Sequence, residues 1–246
     1  MAIKEILGMQ FKDETLEQAA DSIIDDAQNN VKRPVYFVNA HCVNVAASYS
    51  VYAGILRSTP YVYADGIGMA IAARLWGERL INNVNGTDLF PVLCAHAARS
   101  GIPVAFFGAE PGVAEACAGR MADVYQGLDV PWVHHGYVAD VDENDLIESL
   151  NASGAKILFV ARGVPLQEHW IYENQNKLKL PVILGVGALF DFYSGNVRRA
   201  PAFLRRAKLE WLYRLYLEPR RLFRRYVIGN PEFLFRSVKM RITGNG

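Results

Sequence analysis

Short apolar runs alternate with helical patterns along most of the chain, and this alternation constrains the fold more than any other feature. The runs with strand character are Val35 to Val38, Tyr61 to Ala64, Val104 to Phe107, Trp132 to His134, Ile157 to Val160 and Val182 to Val186. Helical periodicity separates them in Glu14 to Gln28, Asp88 to Arg99, Val113 to Tyr125, Glu143 to Leu150 and Gln167 to Lys177. Strands that alternate with helices form mostly parallel sheets covered on both faces. The sequence therefore predicts a Rossmann-like α/β fold.

Polar and glycine-rich residues follow every predicted strand. They are Asn39, Asp65 with Gly66, Gly108 to Gly112, Gly136 with Tyr137, Gly163 to Glu168, and Gly187. In open parallel sheets, ligands bind outside the carboxyl ends of the strands, where these connections converge. We therefore expect a pocket at one edge of the sheet.

The charge of the chain is unevenly divided, although its formal total is only +1. Residues 1–197 carry 13 basic and 22 acidic side chains, a charge of −9, whereas residues 198–246 carry 13 basic and 3 acidic ones, a charge of +10. We expect an α/β body in 1–197 and a basic helical appendage in 198–246. Such asymmetry favours a polyanionic or membrane partner for the appendage.

The appendage combines basic with aromatic residues. One helix is predicted over 202–218, and Pro219 suits the first turn of a second, in which Arg221, Arg224 and Arg225 share one face. Helices of this kind lie on anionic membrane surfaces or close over phosphate groups. The alternative is an amphipathic helix packed on the core with its arginines in water.

Cysteine usage and hydropathy indicate a cytoplasmic protein. Cys42, Cys94 and Cys117 are odd in number and widely spaced, so they predict buried, reduced thiols rather than disulfides or a zinc site. No stretch reaches the ~18 apolar residues of a membrane-spanning helix. We expect any membrane contact to be peripheral.

Asp65 is one candidate for catalysis, since it stands directly after a predicted strand, in YADGIGM. A carboxylate in that place can act as a general base. Spacing alone favours the alternative, a helix N-cap or turn residue, which is typical of Asp-Gly. The turns at Gly108 and before Asp191 suit a phosphate at a helix N-terminus, but they lack the G-x-G-x-x-G spacing.

The sequence predicts no required metal ion. His134 and His135 are adjacent and would point to opposite faces of a strand, and the other histidines have no paired spacing. The D-x-D within Asp140 to Asp145 is interpreted as a solvated loop leading to a helix N-cap. The chain also lacks a G-x-S-x-G nucleophile motif.

Several segments, in order along nearly the whole chain, resemble the WecG/TagA/CpsF family of bacterial glycosyltransferases. They are Asn39 to Asn44, ADGIGM from Ala64, NGTDL from Asn85, FFGAEPGVAEA from Phe106, HGY from His135, GVPLQE from Gly163, GVGALFDFYSG from Gly185, RRAP from Arg198 and LEWLYRLYLEPRRLFRRY from Leu209.

The resemblance implies transfer of a sugar from a UDP-sugar to a saccharide carried on polyprenyl diphosphate, at the cytoplasmic face of the membrane. It further implies an inverting reaction without a metal-binding D-x-D. Arginines of the appendage would then stabilise the charge of the departing UDP in place of a metal. Residues 1–197 would form the catalytic body, and 198–246 would close the active site and contact the membrane.

The resemblance also places site residues. The family's proposed base falls on Asp65, and its polar pocket residues fall on Asn39 and Gln167. Its arginines fall on Arg79 or its neighbourhood and on Arg214, Arg221 and Arg224. Gly108, Tyr137 and Asp191, within the matching motifs, are expected to bind substrate as well.

Three departures from the family pattern bear on substrate choice. Phe37 stands where a threonine is common, Leu166 stands at a usually basic position, and Arg162 stands where a hydrophobic residue is common. The exopolysaccharide members are the nearer relatives on these grounds.

The sequence leaves two rival functions open. One is a nicotinamide-dependent oxidoreductase, which the α/β pattern and glycine turns allow. The other is a non-enzymatic module that binds a membrane or nucleic acid through the appendage, with a strong dependence on salt. We expect no nucleic-acid partner and no cofactor, and exposed apolar surface on the body would allow a homo-oligomer.

Overall fold

Eight strands form one sheet in the computed structural model, which describes residues 2–138, 143–207 and 209–243. The strands are β1 (Ala2–Ile6), β2 (Met9–Asp13), β3 (Arg33–Val38), β4 (Val62–Ala64), β5 (Val104–Gly108), β6 (Trp132–His134), β7 (Ile157–Ala161) and β8 (Val182–Gly185). Their order is β1-β2-β4-β3-β8-β7-β5-β6, and each neighbouring pair is parallel except β1 with β2. The predicted mostly parallel α/β fold is confirmed.

Helices connect the strands and continue beyond the last one. They are α1 (Leu16–Gln28), α2 (Ala40–Ser48), α3 (Ser50–Arg57), α4 (Gly66–Leu75), α5 (Gly86–Ser100), α6 (Val113–Val124), α7 (Glu143–Ala152), α8 (Leu166–Asn174), α9 (Leu189–Tyr193), α10 (Ala202–Arg206), α11 (Glu210–Leu217), α12 (Pro219–Phe223) and α13 (Gly229–Thr243). A π-helical turn, Arg224–Ile228, joins α12 to α13. None of the described helices is both long enough and apolar enough to cross a bilayer.

The β1–β2 hairpin was not predicted. Ile6 pairs with Met9, so Leu7 and Gly8 form a two-residue turn with φ of 56° and 66°. Positive φ at both positions is the type I′ geometry, whose usual signal is Asn-Gly or Asp-Gly. In Leu-Gly, only the glycine is a residue that commonly adopts positive φ, so the turn is not apparent from the sequence.

Alternation along the strands divides the core between the two faces of the sheet. Tyr36 and Val38 of β3 pack on one face, against side chains of α2, α3, α4, α7 and α8. Val35 and Phe37 pack on the opposite face with α1, α5, α6 and α9. All three cysteines are buried and free, as the sequence predicts.

The appendage is helical but more broken than predicted. The continuous helix over 202–218 is wrong, since α10 ends at Arg206 and α11 begins at Glu210. Pro219 does begin α12, as expected. α13 packs on α2 and α4, where Phe233 joins the body's core at 1% exposure. The division into a body and an appendage remains a prediction.

The Asp140-to-Asp145 run is only partly described. Asp140 and Asp142 lie outside the described residues, and Glu143 begins α7. The interpretation of this run as a solvated loop with an N-cap therefore stays a prediction.

Candidate functional site

Asp65 follows β4 and occupies the N-cap position of α4, with φ −112° and ψ 127°. Its backbone N–H donates to the carbonyl of Val38 at 2.8 Å, which fixes the ends of β3 and β4 side by side. Its side chain makes no capping hydrogen bond to α4. The carboxylate therefore does not serve the helix in the way the N-cap alternative required, and its oxygens are available to the site.

Asn39 orients that carboxylate. As the N-cap of α2, its Oδ1 accepts from the backbone N–H groups of His41 at 3.1 Å and Cys42 at 3.3 Å. Because only the amide oxygen can accept these bonds, the amide nitrogen must point away from the helix. Nδ2 donates to Oδ2 of Asp65 at 3.2 Å. Helix capping thus presents an N–H donor to the candidate base.

The charges around Asp65 come mostly from the appendage. Burial raises the pKa of Asp65, while the Asn39 hydrogen bond and the guanidinium groups of Arg225 and Arg214 lower it; the Glu210 carboxylate raises it. Burial is the largest cause, so the net pKa is above that of an ordinary aspartate. A carboxyl group in this setting is a stronger base than an exposed one once it is ionised.

A cleft of ≈ 910 Å³ opens at the carboxyl ends of β5 to β8. Its lining includes the predicted residues Tyr137, Asp191 and Arg221, and also Arg162 and Leu166, two of the three departures from the family pattern. The remaining lining residues are Ala109, Glu110, Gly136, Val138, Ala161, Gly163, Gly187, Ala188, Asn196, Val197 and Glu218. The pocket expected at this edge is therefore present.

Arg214 links the cleft to Asp65, which is not part of its lining. Its guanidinium lies over the ring of Phe192, 5.1 Å from the centroid. It lowers the pKa of Asp65 and also that of Asp191, which burial raises on balance. The charge of Arg214, a residue of the appendage, therefore lowers the pKa both of the candidate base and of Asp191 in the cleft.

Glycine is required where β5 ends. Gly108 has φ +136°, and a Cβ on it would lie 2.3 Å from the carbonyl oxygen of Ala161. The carbonyl of the next residue, Ala109, accepts from the N–H of Gly136 at 2.9 Å. These close backbone contacts draw the ends of β5, β6 and β7 together beneath the cleft.

Gln167 supports the cleft wall from inside. Its Oε1 accepts from the N–H of Gly187 at 2.8 Å, and its Nε2 donates to Oε1 of Glu168 at 2.8 Å. Only 3% of Gln167 is exposed, so both ends of its amide are used within the protein. The expectation that it binds substrate stays a prediction.

Glu168 was not predicted as a site residue. It is 1% exposed, burial raises its pKa to about 7, and its Oε2 has no hydrogen-bond partner among the described residues. The adjacent Gln-Glu pair within GVPLQE was the available signal. Sequence alone did not indicate which of the two side chains holds the buried charge.

Some expected residues lie at the surface. Arg79 is exposed, and it makes no hydrogen bond or ion pair within the described part of the chain. Arg224 is exposed, whereas its neighbour Arg225 is half-buried and acts on Asp65. Arg221 forms an ion pair with Glu218 at 2.5 Å. Arg225, like Glu168, was not predicted as a site residue, although spacing placed it on one face with Arg221 and Arg224.

Metal ligands are not clustered in the described residues. In 2–138, 143–207 and 209–243, no three His, Cys, Asp or Glu side chains converge in a way that could hold an ion. The sequence expectation that no metal is required stays a prediction.

Comparison with known proteins gives the family. The model of the glycosyl transferase WecG/TagA/CpsF family matches residues 4–246. An N-acetylglucosaminyldiphosphoundecaprenol N-acetyl-beta-D-mannosaminyltransferase of Bacillus spizizenii is 33% identical over 76% of this chain and 72% of its own. The enzyme of the same name from Staphylococcus aureus is 27% identical over 96% of this chain and 92% of its own. The chain belongs to the WecG/TagA/CpsF family of glycosyl transferases.

Proposed function

We propose that this protein transfers a hexose or N-acetylhexosamine-type sugar from a UDP-sugar to a saccharide on polyprenyl diphosphate, with inversion at the anomeric carbon. The observation that carries the proposal is the carboxylate of Asp65, which makes no capping hydrogen bond to α4. Asn39 orients this carboxylate, and the charges of Arg214 and Arg225 lower its pKa. A base beside cations is the pairing that this transfer needs.

In the proposed reaction, Asp65 takes the proton of an acceptor hydroxyl as its oxygen bonds to the anomeric carbon of the donor. The bond from that carbon to the diphosphate oxygen breaks, and UDP leaves with the electron pair. The guanidinium groups of Arg214 and Arg225 stabilise the charge that develops on the diphosphate. Direct displacement by one nucleophile inverts the anomeric carbon.

The relatives support the class of acceptor. Both are named as transferases acting on N-acetylglucosaminyldiphosphoundecaprenol, a sugar on a polyprenyl diphosphate. We extend that class to this chain and leave the sugar open. The exopolysaccharide subgroup remains a prediction, and the family match gives the oxidoreductase and the non-enzymatic module no support.

The surface of the appendage supports peripheral contact with the inner face of the cell membrane. Its exposed large apolar side chains include Phe203, Leu212, Tyr216, Phe223, Phe235 and Ile242. They accompany a segment with a formal charge of +10, 13 basic against 3 acidic side chains. Apolar and cationic residues together suit an anionic lipid surface.

The test is a donor screen with the purified full-length protein and detergent-solubilised polyprenyl-diphosphate-linked N-acetylglucosamine. UDP release and glycosylated product are measured with UDP-glucose, UDP-N-acetylmannosamine and its uronic acid, with and without a chelator. We expect product from at least one donor, of inverted configuration by NMR, and no effect of the chelator.

Asp65→Asn should lower kcat about 10²- to 10⁴-fold, the usual contribution of a general base. Asp123→Asn, on the exposed side of α6, is the matched control and should have wild-type turnover. Wild-type turnover by Asp65→Asn would refute the base assignment. Failure of every donor would refute the proposed transfer.

A further inference from the structure

The turn that follows β8 is held by a side chain of α8. Gly187 has φ +62°, and its backbone N–H donates to Oε1 of Gln167 at 2.8 Å. The residue before it, Val186, still donates its N–H to the carbonyl of Val160 in β7, at 2.8 Å. The pairing with β7 therefore ends at Val186, and Gln167 fixes the position of Gly187.

This turn forms part of the wall of the cleft. Gly187 and Ala188 both line the cleft, and the turn leads into α9, whose Asp191 lines it as well. A shift of Gly187 would therefore move both backbone and a charged side chain that face the cleft.

Glu168 determines which end of the Gln167 amide faces Gly187. The two ends of a glutamine amide have nearly the same size, but only the oxygen can accept from an N–H. Oε1 of Glu168 accepts from Nε2 of Gln167 at 2.8 Å. An ionised carboxylate can only accept, so it requires the nitrogen of the amide beside it. The amide oxygen is thereby directed at the N–H of Gly187.

Packing holds Gln167 in this place. Its side chain lies against the backbone of Gly185 at the end of β8, where an added Cβ would come within 3.0 Å of Nε2 and 3.3 Å of Cδ. Gln167 is also buried, so loss of either hydrogen-bond partner would leave a buried polar atom unpaired. The amide therefore transmits a change at Glu168 to the turn.

The charge of Glu168 has no counter-ion in the described part of the chain. Burial raises its pKa to about 7, and the groups that lower it are Gln167 and its own backbone, with no lysine, arginine or histidine among them. The charge of Glu168 in turn raises the pKa of Tyr36, whose hydroxyl is buried too. A buried charge without a counter-ion is costly to stability, and such groups are concentrated at functional sites.

We propose that Glu168 is a positioning residue for substrate binding, because through Gln167 it holds the Gly187 turn in the wall of the cleft. The inference rests on the proposed function, which supplies the substrate that occupies the cleft. Glu168 is itself buried and acts without contact to that substrate.

Four variants of the full-length protein test this at pH 8, where most of the Glu168 carboxylate is ionised. Glu168→Met keeps the length of the side chain but accepts no hydrogen bond, whereas Glu168→Gln keeps an acceptor. Gln167→Met removes the group through which Glu168 acts, and a double variant combines the two methionines. Glu173→Met, which replaces an exposed carboxylate on the same helix, is the matched control.

We expect Glu168→Met to raise KM about tenfold for the substrate in the cleft, the effect of about one lost hydrogen bond. The value of kcat should stay within about threefold of wild type, because Asp65 is bonded to Asn39 and not to this pair. Glu168→Gln should restore a KM within about threefold of wild type. A general loss of fold would not separate KM from kcat or be rescued by glutamine.

A double-variant comparison tests whether Glu168 acts through Gln167. If it does, the double variant should have the same KM as Gln167→Met, since the two effects are then not additive. This comparison also serves if Glu168→Met does not fold, because removal of both partners leaves no unpaired group between them. A KM of the double variant well above that of Gln167→Met would contradict the inference.

Hydrogen exchange measures the turn directly, without substrate. The Gly187 amide, followed by NMR, should exchange about tenfold faster in Glu168→Met and Gln167→Met than in wild type, and at the wild-type rate in Glu168→Gln. The amide of Val186, bonded to Val160, is the internal control and should not change. Equal protection of Gly187 in wild type and Glu168→Met would refute the inference.

Binding of UDP, measured by calorimetry, separates this inference from the proposed function. If no donor is transferred but Glu168→Met binds UDP about tenfold more weakly than wild type, the inference stands and the function fails. If transfer is observed but Glu168→Met leaves UDP binding and the KM of both substrates unchanged, the function stands and the inference fails. Absence of both transfer and UDP binding in the wild type would refute both.

Discussion

Arg199 donates from Nη2 to Oδ1 of Asp88 at 2.7 Å, and Nε of the same guanidinium faces Oε1 of Glu210 at 3.5 Å. Nη1 of Arg199 donates to the hydroxyl oxygen of Tyr193 at 3.4 Å. Asp88 belongs to α5 of the body, whereas Glu210 begins α11, the helix that carries Arg214. Arg199 therefore sets where α11 lies relative to the sheet.

Arg199→Ala should lower kcat/KM about tenfold or more, because small displacements of a positioned group are costly to catalysis. The loss of its ion pairs should reduce the free energy of unfolding by about 1–2 kcal/mol. Steady-state kinetics and urea denaturation measure the two effects. Arg198→Ala, the exposed neighbour, is the control. Equal behaviour of the two variants would contradict the positioning role.

Asn39→Ser separates the two functions of Asn39. Serine keeps the N-cap of α2 but loses the N–H donor to Asp65. That hydrogen bond lowers the pKa of Asp65, so its loss raises the pKa further. A base must be ionised to work, and activity is lost as pH falls through its pKa. The acid limb of kcat/KM should therefore move to higher pH.

Asn85→Ser is the matched control for Asn39→Ser. Asn85 caps α5 through the N–H of Asp88 and donates to Asp88 Oδ2 at 2.8 Å, so it repeats the same arrangement away from Asp65. Its substitution should leave the acid limb in place. A pH–rate profile of Asn39→Ser that matches the wild type would argue against Asp65 as the titrating base.

The parts of the fold that were predicted are those that local pattern determines. β3 to β8 are short apolar runs, and their carboxyl ends meet at one edge for any parallel sheet, which predicts that Asn39 and Asp65 lie at that edge. The family resemblance then indicated both as site residues. The β1–β2 hairpin was missed because Leu7 gives no signal for positive φ. Spacing placed Arg221, Arg224 and Arg225 on one face, and the family resemblance indicated Arg224 among them. The structure leaves Arg224 exposed and Arg225 half-buried, a difference that no local pattern in the sequence indicates.

Tertiary contacts account for the rest of what was missed. Arg199 and Asp88 are 111 residues apart in sequence and lie in two separate motifs. Their contact depends on how the chain after α9 folds back onto α5, which no local window of the sequence contains. Glu168 was missed for a similar reason, because its burial depends on how α8 packs against the sheet.

Glu168→Gln should stabilise the protein at pH 8 and have little effect at pH 4. Burial raises the folded pKa of Glu168 to about 7, above the ordinary value of 4.5. The protonated Glu168 side chain contributes its full stabilisation below the pKa of the unfolded state. That stabilisation is lost as pH rises through the pKa of the folded state, where the buried carboxylate must ionise. Glutamine removes this loss, which amounts to up to about 3 kcal/mol, and still accepts from Gln167.

Urea denaturation at several pH values tests the Glu168 prediction. Glu173→Gln, an exposed carboxylate on the same helix, should leave the dependence of stability on pH unchanged. If Glu168→Gln is less stable than wild type at pH 8, then the ionised carboxylate must be stabilised by its surroundings, and the assignment of burial as the dominant cause is wrong.

Gly108→Ala should destabilise the protein by about 3 kcal/mol or more, because left-handed backbone strain and overpacking add. The new Cβ would meet backbone, the carbonyl oxygen of Ala161 at 2.3 Å, which cannot rotate away. Gly119→Ala is the control: it lies exposed in α6 with nothing within 4 Å of the new Cβ, and alanine should add about 0.5–1 kcal/mol there. Chemical denaturation of both variants measures the difference, and a neutral Gly108→Ala would contradict the close approach of β5 and β7.

Two phenylalanines of α13 separate anchoring of the appendage from its proposed membrane contact. Phe233 is 1% exposed within the core, so Phe233→Ala should cost about 3–5 kcal/mol of unfolding free energy. Phe235 is 72% exposed, so Phe235→Ala should leave the Tm unchanged and weaken binding to vesicles containing anionic lipid. Calorimetry measures the stability of both variants, and vesicle co-sedimentation measures their membrane binding.

Because Phe233 belongs to the core, deletion of 198–246 would damage the body as well, and the point variants are the cleaner test. Unchanged vesicle binding by Phe235→Ala, with full stability, would remove α13 from the membrane-contacting surface.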